Sequence, residues 1–289
     1  MAAYATLKVG GLADALIEPE SKEDLFLLVS RLSVEGVPWQ VIGRGSNILP
    51  ADQGVEGVVI VLGRKLAQIR EVDGEGAPGR VQVEAGCSLA KLVHWCAGRG
   101  LSGLEFSFGI PGSVGGAIIM NAGAWGGEIA QVVTEVELLD DAGHLETRPL
   151  TADDFCYRGW RRPHGKVVVS GTFCLTPDQE VEIRRRCHRY ARLRAAKQPK
   201  GVASAGSFFK NPEGEAAGKL IELAGLKGWR VGDAEVSPVH ANFLVNRGQA
   251  RAEDFYQLMQ VVQARVKAHS GIDLLPEVKF IGRWQAGDR

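Results

Sequence analysis

The sequence predicts an α+β fold that is divided into more than one compact unit. Three observations support this prediction. Helix and strand patterns alternate over residues 21–62, strand patterns dominate residues 69–175, and helical patterns return from residue 180 onward. A chain of 289 residues, of which 45% are hydrophobic, is long enough to form two or three units with cores of their own.

The N-terminal part predicts a small α/β layer. Residues 21–35 carry apolar side chains at helical spacing, Ser21 is suited to the N-cap, and Gly36 is suited to the position after the last turn. The runs that follow have the length and the apolar character of buried strands. Strands are predicted at residues 6–11, 37–42 and 55–62.

The middle of the chain predicts a β-rich region made of hairpins. Two pairs of strand-like runs flank turns that contain glycine, which adopts the positive φ of tight turns without steric cost. Ser88 is suited to cap one helix, whose apolar face runs as far as Cys96. The strands are predicted at residues 69–72, 81–85, 132–139, 145–149 and 167–175.

The last part of the chain predicts a mixed unit that begins with a basic helix. Six arginines lie within the helical pattern of residues 180–196. A nucleic-acid surface is one interpretation. The formal net charge of zero favours a solvated helix face, some of whose cations are directed at a phosphorylated substrate. The other predicted elements are helices at residues 216–224 and 252–269 and strands at residues 242–245 and 278–281.

The composition argues against several classes of protein. Lys plus Arg equals Asp plus Glu at 34 each, so no overall charge favours nucleic acid or an anionic membrane. The first residues do not resemble a secretory leader, and no apolar run is long enough to span a bilayer. Five cysteines without a Cys-x-x-Cys pair and six scattered histidines predict reduced thiols, a cytoplasmic location and no metal site.

Residues 107–123, here called the glycine-rich segment, are the least ordinary stretch of the chain. They read Ser-Phe-Gly-Ile-Pro-Gly-Ser-Val-Gly-Gly-Ala-Ile-Ile-Met-Asn-Ala-Gly. Their apolar side chains predict a buried loop, and a buried loop must satisfy its backbone N–H groups. Since such N–H groups form concave anion sites, we interpret the segment as a loop that wraps a diphosphate. The alternative is a connection without a ligand, and the spacing matches neither GxGxxG nor a P-loop.

A second, shorter glycine loop lies at residues 43–47, directly after an apolar strand, and reads Gly-Arg-Gly-Ser-Asn. Two such loops predict one long ligand that is held at two places. Together, Gly-x-Gly-Ser-Asn and Gly-Ile-Pro-Gly-x-Val-Gly-Gly-Ala followed by Met-Asn-Ala-Gly resemble the UDP-N-acetylenolpyruvoylglucosamine reductase family. This family is part of the FAD-binding superfamily that contains vanillyl-alcohol oxidase, and the resemblance continues to the C-terminus.

The resemblance implies a two-lobed FAD-binding domain followed by a C-terminal α+β substrate-binding domain. The implied division is a small α/β lobe at residues 1–67, a larger β-rich lobe at residues 68–176 and the substrate-binding domain at residues 177–289. Noncovalent FAD is implied because no His or Cys stands in the first loop, and NADPH is the implied cosubstrate. The implied cofactor-binding residues are Gly43, Arg44, Gly45, Ser46, Asn47, Gly109, Ile110, Pro111, Gly112, Ser113, Gly115, Gly116, Asn121, Gly123 and Ala124.

Three later motifs could carry chemistry. From the residues alone, Ser207 is best interpreted as a turn residue, Glu277 equally well as an exposed strand-end acid, and Arg158 as an ordinary surface residue. The resembling family has Tyr-Arg, Gly-Ser-Phe-Phe-Lys-Asn-Pro and Pro-Glu-Val in the same order. The resemblance therefore implies that Ser207 donates a proton and that Arg158 and Glu277 act with it. The implied substrate-binding residues are Tyr157, Lys197, Asn211 and His240.

The implied reaction is the NADPH-dependent reduction of UDP-N-acetylglucosamine enolpyruvate to UDP-N-acetylmuramate, in which hydride reaches C3 through FAD and the serine protonates C2. The short interval between Arg158 and Ser207 resembles the second class of the family, which lacks a tyrosine loop over the substrate diphosphate. Trp160 and Leu275 depart from the residues usual there. The implied partner is a small UDP-sugar, without nucleic acid or membrane, and a monomer is the working expectation.

Two other functions stay open at this point. A flavin oxidase of the same superfamily would consume oxygen and would not require NADPH. A phosphate-binding or RNA-binding regulator that uses the basic helix would be colourless and would bind RNA in a salt-sensitive way.

Overall fold

The computed structural model describes residues 1–72, 79–161 and 165–284. The chain forms two compact units. The first unit comprises Met1–Asp14, Gly45–Glu56 and Ala195–Arg289, and the second comprises Ala15–Arg44 and Gly57–Arg194. The three-part division that the resemblance implies has different boundaries and stays a prediction.

The second unit contains a five-stranded antiparallel sheet. Both predicted hairpins are confirmed, since Ile69 pairs with Val83 and Leu139 pairs with Leu145. The residues 73–78 of the first predicted turn lie outside the described residues. The strand order is Leu145–Pro149, Val133–Leu139, Val167–Cys174, Arg80–Glu84 and Ile69–Glu71.

A smaller sheet carries the predicted α/β layer. Its strand order is Ala13–Ile17, Val55–Val61 and Trp39–Ile42, and the last two strands are parallel. Helix α1 spans Lys22–Val34, and the Ser21 hydroxyl accepts a hydrogen bond from the Asp24 N–H at 3.0 Å. The cap and the helix are therefore as predicted.

The strand predicted at residues 6–11 is wrong. Lys8 has a φ of 60° and Gly10 a φ of 106°, and these left-handed conformations are incompatible with an extended strand. The first strand begins instead at Ala13.

Helix α2 spans Leu89–Ala97 and is capped by Ser88 as predicted. Helix α3, Val114–Ile119, lies within the glycine-rich segment. The basic helix α4 spans Glu180–Lys197, which confirms its prediction.

Three arginines of helix α4 form ion pairs within the second unit. Arg184 pairs with Glu180 and Arg185 with Glu182 along the helix. Arg186 bonds to Asp178 and to Glu105, whose carboxyl group is only 7% exposed. These pairs support the interpretation of this part of α4 as a solvated helix face, because these three cations already have partners.

The first unit contains a four-stranded antiparallel sheet and two helices. Its strand order is Ala203–Ser204, Leu244–Asn246, Ala234–Val236 and Arg230–Val231. A parallel pair joins Ile48–Pro50 to Lys279–Ile281. Helix α5 spans Ala217–Leu223 and helix α6 spans Ala252–Ser270.

Helix α6 confirms the longest helical prediction. The residues of its predicted apolar stripe, from Phe255 to Val266, are buried. The carboxylate of Asp52 accepts the N–H groups of Ala252 and Glu253 at 3.0 Å each, which satisfies two donors at the start of the helix. Within the described ranges, no helix is both long and apolar enough to cross a bilayer.

Candidate active site

The glycine-rich segment is not one continuous loop, which corrects the prediction. Its centre forms helix α3, and the Ser113 hydroxyl accepts the Gly116 N–H at 3.4 Å as the N-cap. Val114 N–H donates to the Cys87 carbonyl at 2.8 Å and Gly115 N–H to the Ala85 carbonyl at 2.9 Å. Burial of the apolar side chains holds this short helix in place despite its glycines, which disfavour helix by about 1 kcal/mol each.

The two glycine loops meet within the second unit. A Cβ placed on Gly43 would lie 2.1 Å from the Ser113 hydroxyl oxygen, so no other residue fits at position 43 without displacement. The backbone N–H groups of Gly43, Arg44, Gly112 and Ser113 donate to no acceptor among the described residues. Neighbouring N–H donors of this kind suit an anion, and a diphosphate has the required chemistry. This is the fit that the pyrophosphate of FAD requires.

The boundary between the units runs through the first glycine loop. Gly43 and Arg44 belong to the second unit, and Gly45, Ser46 and Asn47 to the first. Gly45 has a φ of 62°, and a Cβ there would lie 1.7 Å from the Tyr4 carbonyl oxygen. Glycine at this position is therefore required by the packing of the N-terminal segment.

The end of the glycine-rich segment forms a tight hairpin. Gly123–Ala124 pairs with Gly127–Glu128, and the two turn residues Trp125 and Gly126 have φ values of 58° and 86°. The Asn121 amide, 1% exposed, donates to the Cys156 carbonyl at 3.3 Å and accepts the Ala130 N–H at 3.0 Å. Asn121 therefore ties this segment to the residues that precede Tyr157.

The start of the segment is a turn in which Ile110 N–H donates to the Ser107 carbonyl at 2.9 Å, directly before Pro111. Gly109 has a φ of 79°, and a Cβ there would lie 3.2 Å from the Arg194 side chain of helix α4. Burial of the Arg194 guanidinium lowers its pKa. Helix α4 thus packs directly against the beginning of the glycine-rich segment.

Arg158 lies at the tip of a two-residue hairpin in the second unit. Phe155–Cys156 pairs with Gly159–Trp160, which leaves Tyr157 and Arg158 as the turn. Arg158 has a φ of 55°, a conformation that costs a side-chain-bearing residue about 1 to 2 kcal/mol. Its guanidinium lies 5.1 Å from the centre of the Tyr157 ring. One of its nitrogens is also 3.3 Å from the position of a Cβ on Gly123, so Arg158 and Gly123 are neighbours.

Ser207 lies in the first unit, on a turn that we call the serine loop, residues 205–211. Upstream, Ser204 pairs with Val245 in the four-stranded sheet. Gly206, with a φ of 76°, turns the chain, and Phe208 and Phe209 are then fully buried. Ser207 itself is partly exposed, while Phe208 and Phe209 anchor the loop.

Within the same unit, hydrogen bonds join Glu277 to the serine loop and Asn47 to Glu277. The Glu277 N–H donates to the Phe208 carbonyl at 2.8 Å, and the Asn47 amide donates to the Glu277 carbonyl at 3.1 Å. Lys279 N–H donates in turn to the Asn47 carbonyl at 2.9 Å. Asn47, predicted to bind the cofactor, is therefore bonded to Glu277, which in turn bonds to the residue that follows Ser207.

His240 and Asn211 also lie in the first unit. The Asn211 side chain accepts the Ala217 N–H at 3.0 Å. Burial, and then the positive charges of Lys227 and Lys197, lower the pKa of His240 despite opposing contributions, so the ring is neutral at pH 7. Because its Nδ1 accepts the Asn242 N–H at 3.3 Å, the ring proton is on Nε2.

Sequence reasoning missed Asn242 and the near-parallel pair of Trp125 and Tyr190. These two rings lie 6.2 Å apart at 12° within the second unit. Asn242 is 2% exposed and bonds to the serine loop, so the strand predicted at residues 242–245 begins only at Leu244. The available signal for Asn242 was its position as a polar residue inside the otherwise apolar residues 241–245.

Comparison with known proteins gives one consistent result. Residues 198–281 match the model for the UDP-N-acetylenolpyruvoylglucosamine reductase C-terminal domain, and residues 13–148 match that for an FAD binding domain. The chain is 45% identical to the UDP-N-acetylenolpyruvoylglucosamine reductase of Geobacter metallireducens, over 98% of this chain and 92% of the relative.

Two further similarities agree with this result. The reductase of Streptococcus pneumoniae (strain JJA) is 42% identical over 96% of this chain and 91% of its own length. The crystal structure of the Thermus caldophilus UDP-N-acetylenolpyruvylglucosamine reductase matches with a TM-score of 0.81 and 39% identity, covering 97% of this chain and 96% of the other. This chain therefore belongs to the UDP-N-acetylenolpyruvoylglucosamine reductase family.

Proposed function

We propose that this chain reduces UDP-N-acetylenolpyruvoylglucosamine to UDP-N-acetylmuramate, a precursor of peptidoglycan, with FAD as its cofactor and NADPH as the reductant. The proposal is supported by the family and by relatives whose names state this substrate. The observation that carries it is the bond between the Glu277 N–H and the Phe208 carbonyl, which brings Glu277 next to the residue that follows Ser207. We also propose a cytoplasmic location for the reaction.

The residues proposed to hold FAD are those of the two glycine loops. The N–H groups of Gly43, Arg44, Gly112 and Ser113 need acceptors, and the pyrophosphate oxygens would supply them. When bound there, FAD would supply the hydride-transfer chemistry that links NADPH to C3 of the enolpyruvyl group. No His or Cys stands among residues 43–47, so the cofactor is proposed to be noncovalent and to leave the protein on acid denaturation.

Arg158 is proposed to bind the carboxylate of the enolpyruvyl group. Negative charge accumulates on C2 and on this carboxylate when hydride reaches C3, and a fixed cation stabilises that charge. The guanidinium suits the role because it can bind a carboxylate through two parallel hydrogen bonds. Its place at a strained hairpin tip presents it away from the sheet, and such strain is typical of functional residues.

Ser207 is proposed to protonate C2. A serine hydroxyl is a weak acid, so it needs a strongly basic acceptor, and the enolate-like carbon provides one. Glu277 is proposed to act beside Ser207 on the same carboxyl group. Lys197, Asn211, Tyr157 and His240 are proposed to bind the substrate, and the Nε2 proton of neutral His240 can donate to one of its oxygens.

The experiment is an anaerobic visible spectrum of the purified protein. NADPH should bleach a flavin spectrum, and UDP-N-acetylenolpyruvoylglucosamine should restore it with formation of UDP-N-acetylmuramate. Oxygen consumption with an alcohol or sugar substrate, without a need for NADPH, would instead support a flavin oxidase. A colourless protein that binds RNA in a salt-sensitive way would support the regulator.

A further inference from the structure

Ser207 lies in neither a helix nor a strand. After Ser204 the chain leaves the four-stranded sheet, turns at Gly206 and regains backbone pairing only at Phe208. A proton donor must be held within a fraction of an ångström of its productive place, because a misplacement of about 1 Å can slow a reaction about 100-fold. The bonds at Phe208 and Phe209 therefore determine where the Ser207 hydroxyl lies.

One edge of this short stretch is held by the segment that contains Glu277, just before the strand Lys279–Ile281. Glu277 N–H donates to the Phe208 carbonyl, Lys210 N–H donates to the Leu275 carbonyl, and both distances are 2.8 Å. Phe209 accordingly pairs with Pro276 as an antiparallel bridge. The bonds on this side are made by Phe208 and Lys210, so the N–H and the carbonyl of Phe209 itself face the opposite edge and need a different partner.

That partner is Asn242. Its carbonyl accepts the Phe208 N–H at 2.7 Å, its side-chain oxygen accepts the Phe209 N–H at 2.9 Å, and its side-chain nitrogen donates to the Phe209 carbonyl at 2.8 Å. The amide thus copies the pair of bonds that a neighbouring strand would make. All three residues are buried, so losing the amide leaves two backbone groups without partners.

We propose that Asn242 is a positioning residue for the proton transfer by Ser207. Its carbonyl holds Phe208 and its side-chain amide holds Phe209, both from the edge opposite Glu277, so that the Ser207 hydroxyl keeps a fixed position relative to Glu277. Asn242 N–H also donates to His240 Nδ1 and thereby orients that ring. This inference rests on the proposed function, and its test separates the two.

Asn246 offers a matched control in the same unit, four residues further along the chain. It is also buried, its amide donates to the Leu7 carbonyl at 3.0 Å, and its oxygen accepts the Gly248 and Ala250 N–H groups. Asn242→Ala and Asn246→Ala therefore remove the same kind of group from the same unit. Only the first removes the two side-chain bonds to Phe209, while both variants keep the backbone bond to Phe208.

The test measures both half-reactions by rapid mixing, as bleaching by NADPH and recovery on adding UDP-N-acetylenolpyruvoylglucosamine. In Asn242→Ala, NADPH should bleach the flavin at the wild-type rate, and recovery should be about 100-fold slower. The substitution should lower kcat, while KM for the sugar nucleotide should change less. Asn246→Ala should lower the melting temperature by a similar amount and recover normally.

Equal recovery rates in the two alanine variants would overturn the role of Asn242. A wild-type protein that bleaches but does not recover with this substrate would overturn the proposed function, and the inference with it. If Asn242→Ala does not fold, Asn242→Asp keeps the side-chain volume and the acceptor but loses the donor. Slower recovery with intact bleaching is expected there too, and normal recovery would contradict the proposal.

Discussion

The glycine-rich segment and the serine loop are held in place by opposite means. At the centre of the glycine-rich segment, most bonds join backbone groups to backbone groups, and in the adjoining first loop a side chain on Gly43 would collide with Ser113. Around the serine loop, a side-chain amide from Asn242 completes the bonding that a strand would otherwise provide. We therefore expect added side-chain atoms to disrupt the glycine loops, and the loss of polar groups to disrupt the serine loop.

This difference fits the proposed division of labour. A cofactor phosphate needs bare N–H groups at close range, which glycine permits. A proton donor needs one hydroxyl in one place, which requires buried and fully bonded neighbours. Substitutions in the two regions should therefore have different effects. Those in the glycine loops should lower FAD content, and those in the serine loop should slow the proton transfer.

The largest effect is expected from Ser207→Ala. Steady-state consumption of NADPH with the enolpyruvyl substrate should slow by about 10² to 10⁴, the usual contribution of a general acid. Ser204→Ala, three residues earlier in the same unit, is the control and should turn over normally. Equal losses in the two variants would show that the loop tolerates no truncation and would remove the chemical role of Ser207.

The next effect is expected from Gly43→Ala. The added Cβ would lie 2.1 Å from the Ser113 hydroxyl oxygen, so the loops must separate at a cost of about 1 to 3 kcal/mol. FAD content per protein should fall along with the melting temperature. Gly98→Ala is the control, because the nearest atom is 3.6 Å away, and it should retain its FAD. Full FAD occupancy in Gly43→Ala would contradict the proposed contact of the loops with the cofactor.

Arg158→Lys should have a smaller effect, confined to the half-reaction with the sugar nucleotide. The substitution keeps the charge but loses the two-pronged contact with a carboxylate, for which about tenfold in kcat/KM is expected. Arg161→Lys, whose side chain bonds to the Asp153 carbonyl, is the control. If Arg158→Lys slowed bleaching by NADPH as well, Arg158 would belong to the cofactor side.

The smallest effect concerns Glu105, which joins helix α4 to the chain before the glycine-rich segment. Burial alone would raise its pKa, but bonds from backbone N–H groups, Arg186 and Ser102 outweigh burial and lower it. Glu105 therefore stabilises the fold above the ordinary pKa of a glutamate, and this contribution is lost as the pH falls through the lowered value.

Glu105→Gln should accordingly lower stability by about 1 kcal/mol at pH 7, and less at acidic pH. Thermal melts of both proteins at several pH values would measure this. A difference that stays constant, or grows, on acidification would contradict the role of the charged carboxylate.

Elements that depend on contacts between residues close in sequence could be predicted, and elements that depend on distant contacts could not. Helix α6 was predictable because its stripe of apolar residues repeats over many turns, and the hairpins were predictable from their turns. Helix α3 was not, because two glycines disfavour it and only the burial of Val114 and Ile118 sustains it. The strand expected at residues 6–11 failed because Lys8 takes a left-handed conformation that its residue type does not signal.

The same distinction applies to the site. The glycine loops and the motif around Ser207 could be identified because each lies within a short stretch of residues. The amide of Asn242 bonds to Phe209, 33 positions away, and no local pattern pairs two such residues. The ties from Asn47 to Glu277 likewise depend on the tertiary fold.

The most direct test of the account follows Ser207→Ala through the two half-reactions separately by flavin absorbance under anaerobic conditions. The account predicts bleaching by NADPH at the wild-type rate, followed by recovery with UDP-N-acetylenolpyruvoylglucosamine that is slower by the full factor lost in turnover. Equal slowing of bleaching and recovery, or recovery at the wild-type rate, would contradict it.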